Sequence, residues 1–375
     1  MMRIVHVIAE FSGHEAMGRT IVETVRRVPG DHALITTTAH DGTEDFFDVV
    51  ELAGAVESFP IGRAEALDGA LARLQPDLVH LHGGALSPLF AVRTAITWYP
   101  HLLTMYAWPV LPSPQRLRAG GVRAALQSNV LRPRVAVTSV LPAAVVRRAL
   151  RGTKVVLTPD PRVEAKLHGL DVRRLGSGGP VDPRRAVWAD TAPVVLFAGR
   201  AESVRGIDTL LECFPAVLRS VPSARLRLLL IPRPELPALL ERAMAAGMGA
   251  SLEVVTDPVP DLLGEMARAQ VGAWPFKYDY TTSPPAMAAA EALSVGLPVV
   301  ATDVACLQAV VHNGINGSVV PASDPGSLAA AIVHLLREPD LWRRYALAGP
   351  AWVAERLSWQ GMADTTAAAY ADVCG

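Results

Sequence analysis

The chain has 375 residues, of which 50% are hydrophobic and 19% are charged, and this balance excludes a disordered tail and a disulfide-stapled mini-protein. Its length predicts two domains of about 100–200 residues each. Thirty-five Lys and Arg against 36 Asp and Glu leave a net charge of −1, so no overall basic excess indicates a nucleic-acid partner. The cysteines Cys213, Cys306 and Cys374 are scattered without a CxxC pair, which argues against a disulfide framework or a thiolate metal site and favours a reducing compartment.

The N-terminus and the longest uncharged run indicate neither a signal peptide nor a membrane span. Residues 1–15 contain no small-residue cleavage pattern before Glu10 and Glu15, so we expect a first strand there. The uncharged run at 94–115 contains four prolines, which disfavour a spanning helix. We therefore expect a cytoplasmic protein.

In the first half of the chain, short apolar runs alternate with longer segments of helical period, a pattern typical of βα units and a parallel sheet. The pattern predicts strands at 4–9, 33–37, 78–81, 102–105 and 135–139, and helices at 20–28, 64–74 and 143–150.

A segment at 175–192 rich in Gly, Pro and Asp predicts a linker, and a second α/β pattern follows it. The second pattern predicts strands at 194–197, 226–231, 271–274 and 298–302, and helices at 207–218, 235–248, 286–294 and 328–336. We place an N-terminal domain at 1–186 and a C-terminal domain at 187–356. The fold class is α/β, with two Rossmann-like, doubly wound domains facing a central cleft, where ligands bind beyond the carboxyl ends of the strands.

The first candidate for chemistry follows the predicted strand at 194–197. Gly199 and Arg200 come directly after the strand, and Arg205 and Gly206 precede a helix. Two guanidiniums beside a helix N-terminus suit a diphosphate, although two ordinary surface arginines have the same spacing. Glu291, on a predicted helix before a Gly-Leu-Pro turn, could accept hydrogen bonds from paired ribose hydroxyls or be a solvated helix residue.

Other chemistries have weaker sequence support. The segment 13–20 nearly matches the phosphate-binding pattern GxxxxGK[ST], but Arg19 stands where Lys belongs, and no strand ends in a magnesium-binding Asp at a typical distance. An NTPase is therefore disfavoured. The chain has no HExxH, GxSxG or GxGxxG pattern, and no Asp-x-Asp stands at a strand end. His80 and His82 alternate on one strand face without further ligand-like spacing, so we expect no metal site.

Three segments resemble the glycosyltransferase group 1 family, the retaining GT4-like enzymes of GT-B fold. The family's strand-GR-xxxx-K-G segment resembles 197–206, its E-A-x-x-x-G-x-P-V-V-A-T segment resembles 291–302, and its G-x-nG-x-x-V-p segment resembles 313–321. The turn at 179–182 looks like the family's linker, and weaker similarity at 3–7, 76–82 and 100–106 extends the resemblance over nearly the whole chain.

The resemblance implies a metal-independent, retaining hexosyltransferase that uses a UDP-, GDP- or dTDP-sugar as co-substrate and needs no other cofactor. Its acceptor would be a small molecule or a lipid or cell-envelope precursor. The last helix, at 357–375, would cross back to the N-terminal domain. Three residues would be catalytic: Arg200, Arg205 and His82. The donor would contact Gly13, Gly18, Gly199, Arg200, Arg205, Ser283, Pro284 and Glu291. The acceptor would lie near His82, Tyr106 and Trp108.

The sequence departs from the family at three positions. Ser283 stands where the family has the first of two glutamates, Tyr106 replaces a family histidine, and Arg205 replaces a lysine. Arg keeps the charge of Lys but changes its geometry. Two alternative functions therefore stay open: a nucleotide-sugar-binding protein without transfer activity, and a nucleotide-sugar epimerase of the same fold, for which no added acid–base pair is visible.

A long basic stretch is the last informative feature. No acidic residue occurs between Asp77 and Asp160, whereas arginines are frequent there. Such a surface could attract an anionic membrane or an anionic acceptor, or it could be a solvated Arg-rich face. We expect peripheral contact with an anionic membrane, at the inner membrane face, and a mobile, partly apolar flap at 106–134.

Overall fold

The computed structural model describes residues 1–13, 15–52, 64–108, 110–127, 131, 133–176, 178–179, 182, 184–189, 192–245, 247–279, 281–282 and 284–375. The chain divides into two compact units. Unit 1 takes in residues 1–109, 136–178 and 357–375, and unit 2 takes in residues 110–135 and 179–356. Among the described residues, no helix combines the length and the apolar composition that crossing a bilayer requires.

The helices formed by the described residues are, in chain order, α1 (Ala16–Arg27), α2 (Ala64–Leu74), α3 (Ser87–Ala91), α4 (Pro114–Gly120), α5 (Val122–Gln127), α6 (Pro133–Val140), α7 (Ala143–Ala149), α8 (Pro161–Lys166), α9 (Ile207–Ser220), α10 (Leu236–Ala245), α11 (Leu262–Arg268), α12 (Met287–Ser294), α13 (Ala305–Gln308), α14 (Pro325–Arg337), α15 (Pro339–Arg356) and α16 (Trp359–Cys374).

The strands formed by the described residues are, in chain order, β1 (Arg3–Val7), β2 (Glu10–Phe11), β3 (Asp31–Thr36), β4 (Thr38–Ala39), β5 (Asp48–Glu51), β6 (Leu78–Gly83), β7 (His101–Met105), β8 (Val156–Thr158), β9 (Val172–Arg174), β10 (Val194–Arg200), β11 (Arg225–Ile231), β12 (Leu252–Val255), β13 (Val271–Trp274), β14 (Val299–Thr302) and β15 (Gly317–Val320).

Unit 1 is built on a parallel sheet with the strand order β5-β3-β1-β6-β7-β8-β9. Successive side chains point to opposite faces. One face, which includes Val5 and Val79, packs against a cluster that contains Leu67 and Leu71 of α2. The other face, which includes Ile4, packs against α16. The last helix therefore belongs to unit 1, because its apolar side completes that core.

Unit 2 is built on a second parallel sheet, with the strand order β12-β11-β10-β13-β14-β15. Counted along the chain, this is the order third, second, first, fourth, fifth, sixth. The connections leave β10 on one side for β11 and return on the other side for β13. Open parallel sheets bind ligands beyond the strand ends at such a reversal, so the residues that follow β10 occupy the favoured position.

The division between the units differs from the expected boundary at 186/187. It falls between 178 and 179. Ala186 donates its amide to the carbonyl of Val295 at 2.7 Å, and Arg184 pairs with Asp261 at 2.6 Å, so this part of the linker is held within unit 2. Residues 110–135, expected in the N-terminal domain, also belong to unit 2.

The strand predicted at 135–139 is wrong, because the segment is part of α6. The run of Val and Thr suggested a strand, yet such short apolar runs also fit a helix with one buried side. Val137 and Val140 are exposed, whereas Thr138 is buried.

Candidate functional site

The loop after β10 is fixed by close contact with the end of β13. A short 3₁₀ turn at Ser203–Arg205 joins β10 to α9. Gly206 has φ 75°, and a Cβ there would lie 1.8 Å from the carbonyl oxygen of Pro275, so the loop requires glycine. The amide of Lys277 donates to the carbonyl of Val204 at 3.0 Å. This loop therefore has one defined path across the point where the sheet reverses.

The Arg205 guanidinium is held in place by an aromatic ring and a carboxylate. Its Cζ lies 5.3 Å from the centroid of the Phe276 ring, and its Nε lies 3.3 Å from Oε2 of Glu202. The Arg205 side chain is only 16% exposed. Burial lowers the pKa of Arg205, the negative charge of Glu202 opposes that shift, and the positive charge of Arg200 adds to it. Two neighbouring cations, one of them desolvated, favour a bound anion.

Glu291 and Pro284 lie after β13, the strand next to β10 in the unit 2 sheet. Glu291 is on α12, which packs on β13 and β14, and it is 7% exposed. Pro284 is buried before the start of α12. Ser283 lies outside the described residues. The structure thus brings Gly199, Arg200 and Arg205 together at the end of β10 and places Pro284 and Glu291 in the adjacent βα unit, in the loop after β13 and on α12.

The segment at 110–127 packs on unit 2 beside this loop. Arg116 pairs with Asp303 at 3.0 Å, and the Tyr278 hydroxyl donates to the carbonyl of Gly121 at 3.1 Å. Lys277, whose side chain is 7% exposed, pairs with Asp208 at 2.6 Å and donates to the carbonyl of Gly120. A cleft of about 620 Å³ separates α4 and α5 from α9 and α10. Arg200, Arg205 and Glu291 are not among its lining residues.

The two glycines predicted to cover the donor have packing roles in unit 1. A Cβ on Gly13 would lie 2.8 Å from Cα of Gly42, and a Cβ on Gly18 would lie 2.0 Å from the carbonyl oxygen of Ser12. Gly18 is part of α1. Close approach of two backbones explains both glycines, and donor contact stays a prediction.

Two described residues of the same region, Arg19 and Thr20, make contacts within unit 1. The Arg19 guanidinium lies 5.5 Å from the Trp359 ring centroid, and the Thr20 hydroxyl donates to the carbonyl of Ala16 at 2.9 Å. Arg19 therefore extends toward α16, and Thr20 bonds within its own helix. This arrangement disfavours the nucleoside-triphosphate alternative.

The three residues predicted on the acceptor side are all buried. Trp108 is 1% exposed, belongs to the apolar core of unit 1, and donates its amide to Asp160 at 3.1 Å. His82 is 4% exposed and Tyr106 is 5% exposed. Trp108 therefore presents no ring face for stacking in this conformation. His82 and Tyr106 belong to a hydrogen-bonded network of side chains on neighbouring strands.

Four histidines lie on one face of the unit 1 sheet, three of them in a hydrogen-bonded chain. His32 Nε2 lies 2.8 Å from the carbonyl oxygen of Val28, and His32 Nδ1 lies 2.9 Å from His6 Nε2. His6 Nδ1 lies 3.0 Å from His82 Nε2. His82 Nδ1 in turn lies 3.1 Å from the Tyr106 hydroxyl. The expectation that His80 and His82 share a face is confirmed.

The fourth histidine, His80, is separate from the chain. Its Nδ1 lies 2.7 Å from the Tyr370 hydroxyl and its Nε2 lies 2.7 Å from the Thr104 hydroxyl, while its ring packs on His82 with centroids 3.9 Å apart. Burial lowers the pKa of His80 to about 3. Burial also lowers the pKa of His6, His32 and His82, so all four rings are neutral at pH 7.

Sequence reasoning missed His6, His32, Glu202 and Phe276. The register pairs His6 with His80 on adjacent parallel strands, which makes the histidine cluster a consequence of strand order. Glu202 is three residues before Arg205, a spacing that could have indicated a partner for the arginine. Phe276 gave no local signal, because its contact with Arg205 joins two separate βα units.

We predict that the free energy of unfolding falls as pH drops below about 6.5, the pKa of histidine in an unfolded chain. Below that pH the histidines of the unfolded state bind protons, whereas the buried histidines of the folded state stay neutral because their pKa is lowered. Each such histidine contributes up to about 1.4 kcal/mol per pH unit. Urea unfolding between pH 7.5 and 5 measures this slope. His80→Gln should reduce the slope of unfolding free energy against pH by the contribution of one buried histidine. The control is His40→Gln, at a half-exposed histidine. Equal slopes for the two variants would contradict the assignment.

Comparisons with known proteins agree with this geometry. A family model described as glycosyl transferases group 1 matches residues 192–338, which contain the β10 loop and Glu291. The D-inositol 3-phosphate glycosyltransferase of Geodermatophilus obscurus is 34% identical over 212 residues, which cover 54% of this chain and 45% of the relative. The phosphatidyl-myo-inositol mannosyltransferase of Mycobacterium leprae is 30% identical over 213 residues, or 55% of this chain and 52% of the relative. The chain thus spans about half the length of the curated relatives it matches.

The fold is shared over nearly the whole chain with a solved structure. Anabaena Alr3699/HepE, in complex with UDP and glucose, superposes with a TM-score of 0.75 at 13% identity and covers 99% of this chain and 100% of its own. At that identity the likeness concerns the fold. Residues 192–338 are similar to the glycosyl transferases group 1, and the chain has the GT-B fold with two Rossmann-like units.

Proposed function

We propose that the protein is a metal-independent, retaining glycosyltransferase that moves a hexosyl group from a nucleoside-diphosphate sugar to a hydroxyl acceptor. The observation that carries this proposal is the position of Arg200 and Arg205. Arg200 ends β10 and Arg205 lies in the 3₁₀ turn that follows it, where the unit 2 sheet reverses, and both lie within the segment that matches the group 1 family. A diphosphate is the ligand that two guanidiniums at this position suit best.

The arginines would act on the leaving group. As the bond between sugar and diphosphate breaks, negative charge develops on the phosphate oxygens, and fixed guanidiniums stabilise it without reorganising. Glu202 and Phe276 hold Arg205 in place before the substrate arrives. Transfer with retention on one face of the sugar then depends on positioning and leaving-group stabilisation, and needs no protein nucleophile. Glu291 would accept hydrogen bonds from the ribose, and Ser283 with Pro284 would border the sugar.

The acceptor we propose is a polyhydroxylated compound, free or attached to a lipid. The support is the names of the two relatives, one for D-inositol 3-phosphate and the other for phosphatidyl-myo-inositol. D-inositol 3-phosphate and phosphatidylinositol are therefore the first acceptors to assay.

We predict that one nucleoside diphosphate binds to the metal-free protein and that Arg200→Ala weakens this binding by about 10- to 100-fold, because a charged hydrogen-bond partner is lost. Calorimetric titration with UDP, GDP, dTDP and ATP, in EDTA and then in magnesium, measures it. The control is Arg343→Ala, which removes an exposed arginine from α15 of the same unit. ATP binding that needs magnesium and survives Arg200→Ala would contradict the proposal. Diphosphate binding without sugar transfer would instead support the inactive binder.

We further propose that unit 1 contacts an anionic membrane surface. Helix α3 packs on α7, and these elements with their neighbours expose Trp98, Val140 and Val145 at 80%, 72% and 42%. Exposed arginines, among them Arg148 and Arg151, follow in the same region. Apolar side chains beside arginines suit the boundary between lipid headgroups and acyl chains.

We predict salt-sensitive binding to vesicles that contain phosphatidylglycerol and none to pure phosphatidylcholine vesicles. Each arginine at a membrane surface contributes about 1 kcal/mol, so Arg148→Ala with Arg151→Ala should weaken sedimentation with vesicles by about thirtyfold. Arg343→Ala again provides the control. Absence of binding at low salt would exclude the membrane contact.

A further inference from the structure

The hydrogen-bonded histidine chain in unit 1 ends at the Val28 carbonyl, which can only accept a hydrogen bond. His32 Nε2 faces the carbonyl oxygen of Val28 at 2.8 Å, and a carbonyl has no proton to give. The proton therefore sits on His32 Nε2, which leaves Nδ1 of the neutral ring as an acceptor. His6 Nε2, 2.9 Å away, must then be the donor to His32.

The tautomer of each histidine ring then fixes the tautomer of the next ring in the hydrogen-bonded chain. Because His6 carries its proton on Nε2, its Nδ1 accepts from His82 Nε2 at 3.0 Å. Because His82 then carries its proton on Nε2, its Nδ1 accepts from the Tyr106 hydroxyl at 3.1 Å. The opposite direction would set two acceptors, His32 Nε2 and the Val28 carbonyl, against each other at hydrogen-bond distance. One backbone carbonyl therefore decides three tautomers.

We propose that His32, His6 and His82 are positioning residues that fix the Tyr106 hydroxyl as a hydrogen-bond donor to His82, so that its oxygen lone pairs are available to a ligand hydroxyl. The ligand part of this proposal rests on the proposed transferase function. The tautomers themselves do not.

The surroundings of the Tyr106 oxygen support an incoming donor group. The oxygen lies 3.5 Å from the carbonyl oxygen of Met17, in the first turn of α1. With its proton given to His82 at the shorter distance of 3.1 Å, Tyr106 has none left for Met17. The Tyr106 oxygen then keeps its lone pairs as acceptors, and a hydroxyl of a sugar or polyol is a donor that can use them. Tyr106 follows β7 at the carboxyl edge of the unit 1 sheet, the edge where parallel sheets bind ligands.

A metal ion is the competing occupant of the cluster. Nitrogens of His6, His80 and His82 lie within 4.8 Å of one another. Each ring nitrogen of these three residues already has a hydrogen-bond partner, and a divalent ion buried among neutral rings would lack a compensating negative charge. The hydrogen-bonded chain accounts for these contacts without an ion.

The tautomers can be measured directly in the full chain. Protein labelled with ¹⁵N-histidine, studied by long-range proton–nitrogen correlation at pH 7.5, should show His6, His32 and His82 as neutral rings with the proton on Nε2. A proton on Nδ1 of any of the three, or a charged ring, would overturn the proposal. Stoichiometric zinc in the purified protein, with nitrogen shifts that change on chelation, would overturn it in favour of a metal site.

Matched variants test whether His32 sets the direction. His32→Leu removes the ring that donates to the Val28 carbonyl, so the proton of neutral His82 should distribute between its Nδ1 and Nε2. His32→Gln can donate to the carbonyl and accept from His6, and it should restore Nε2–H on His82. His80→Gln, which alters a buried ring packed on His82 but outside the chain, should leave the three tautomers unchanged. If His32→Leu fails to fold, the wild-type spectrum decides alone.

The ligand part is tested by kinetics. Tyr106→Phe and His32→Leu should each lower kcat/KM for the acceptor by about 3- to 10-fold, the effect of one neutral hydrogen bond, and His32→Gln should recover it. The donor KM should not change. An unchanged acceptor kcat/KM in Tyr106→Phe would overturn the ligand role. If no donor and acceptor pair supports transfer, the proposed function fails, and the measured tautomers still decide the direction of the chain.

Discussion

The reversal of strand order at β10 is the constraint on which the account of unit 2 depends. Because β11 and β13 lie on opposite sides of β10, the loop that follows β10 lies at the reversal of the sheet, the position where open parallel sheets bind ligands. Gly206 lets this loop touch the carbonyl of Pro275, and Glu202 and Phe276 then hold Arg205. Burial and the charge of Arg200 both lower the pKa of Arg205 and Glu202 opposes them, so a further anion at this loop would stabilise both charged guanidiniums, which links the topology of the sheet to the chemistry of a diphosphate.

Unit 1 uses the same topology for a different purpose. Its sheet reverses between β1 and β6, and the strand register there sets His6 beside His80. Burial disfavours the charged form of all four imidazoles, and for His32 it outweighs the opposing charge of Asp31. Each neutral ring donates one hydrogen bond and accepts another, so the buried nitrogens all have partners. The hydrogen bonds run in one direction and polarise one another. The result is a polar core that extends from the Val28 carbonyl to the Tyr106 hydroxyl.

Much of the architecture could be predicted from periodicity, because buried parallel strands and amphipathic helices have distinct local patterns. The strands β10, β11, β13 and β14 and the arginine loop were all expected. Local pattern could not distinguish a strand from a helix at 133–140, where a short apolar run fits both. It also could not show that 110–127 packs on unit 2, or that His6 and His32 join His82, because those contacts depend on strand register and on residues distant in sequence.

The central claim is that a nucleoside diphosphate binds at the arginine loop after β10. The most direct test is to find which backbone amides the bound nucleotide protects from hydrogen exchange. Hydrogen–deuterium exchange of the metal-free protein, with and without UDP or GDP, reports this at the level of peptides. Our account predicts slower exchange at 199–207, in the β10 loop, and at 287–294, in α12, with no change at 16–27 in α1. Protection confined to α1 and the residues before it would contradict the account, because it would place the nucleotide at the glycines of unit 1.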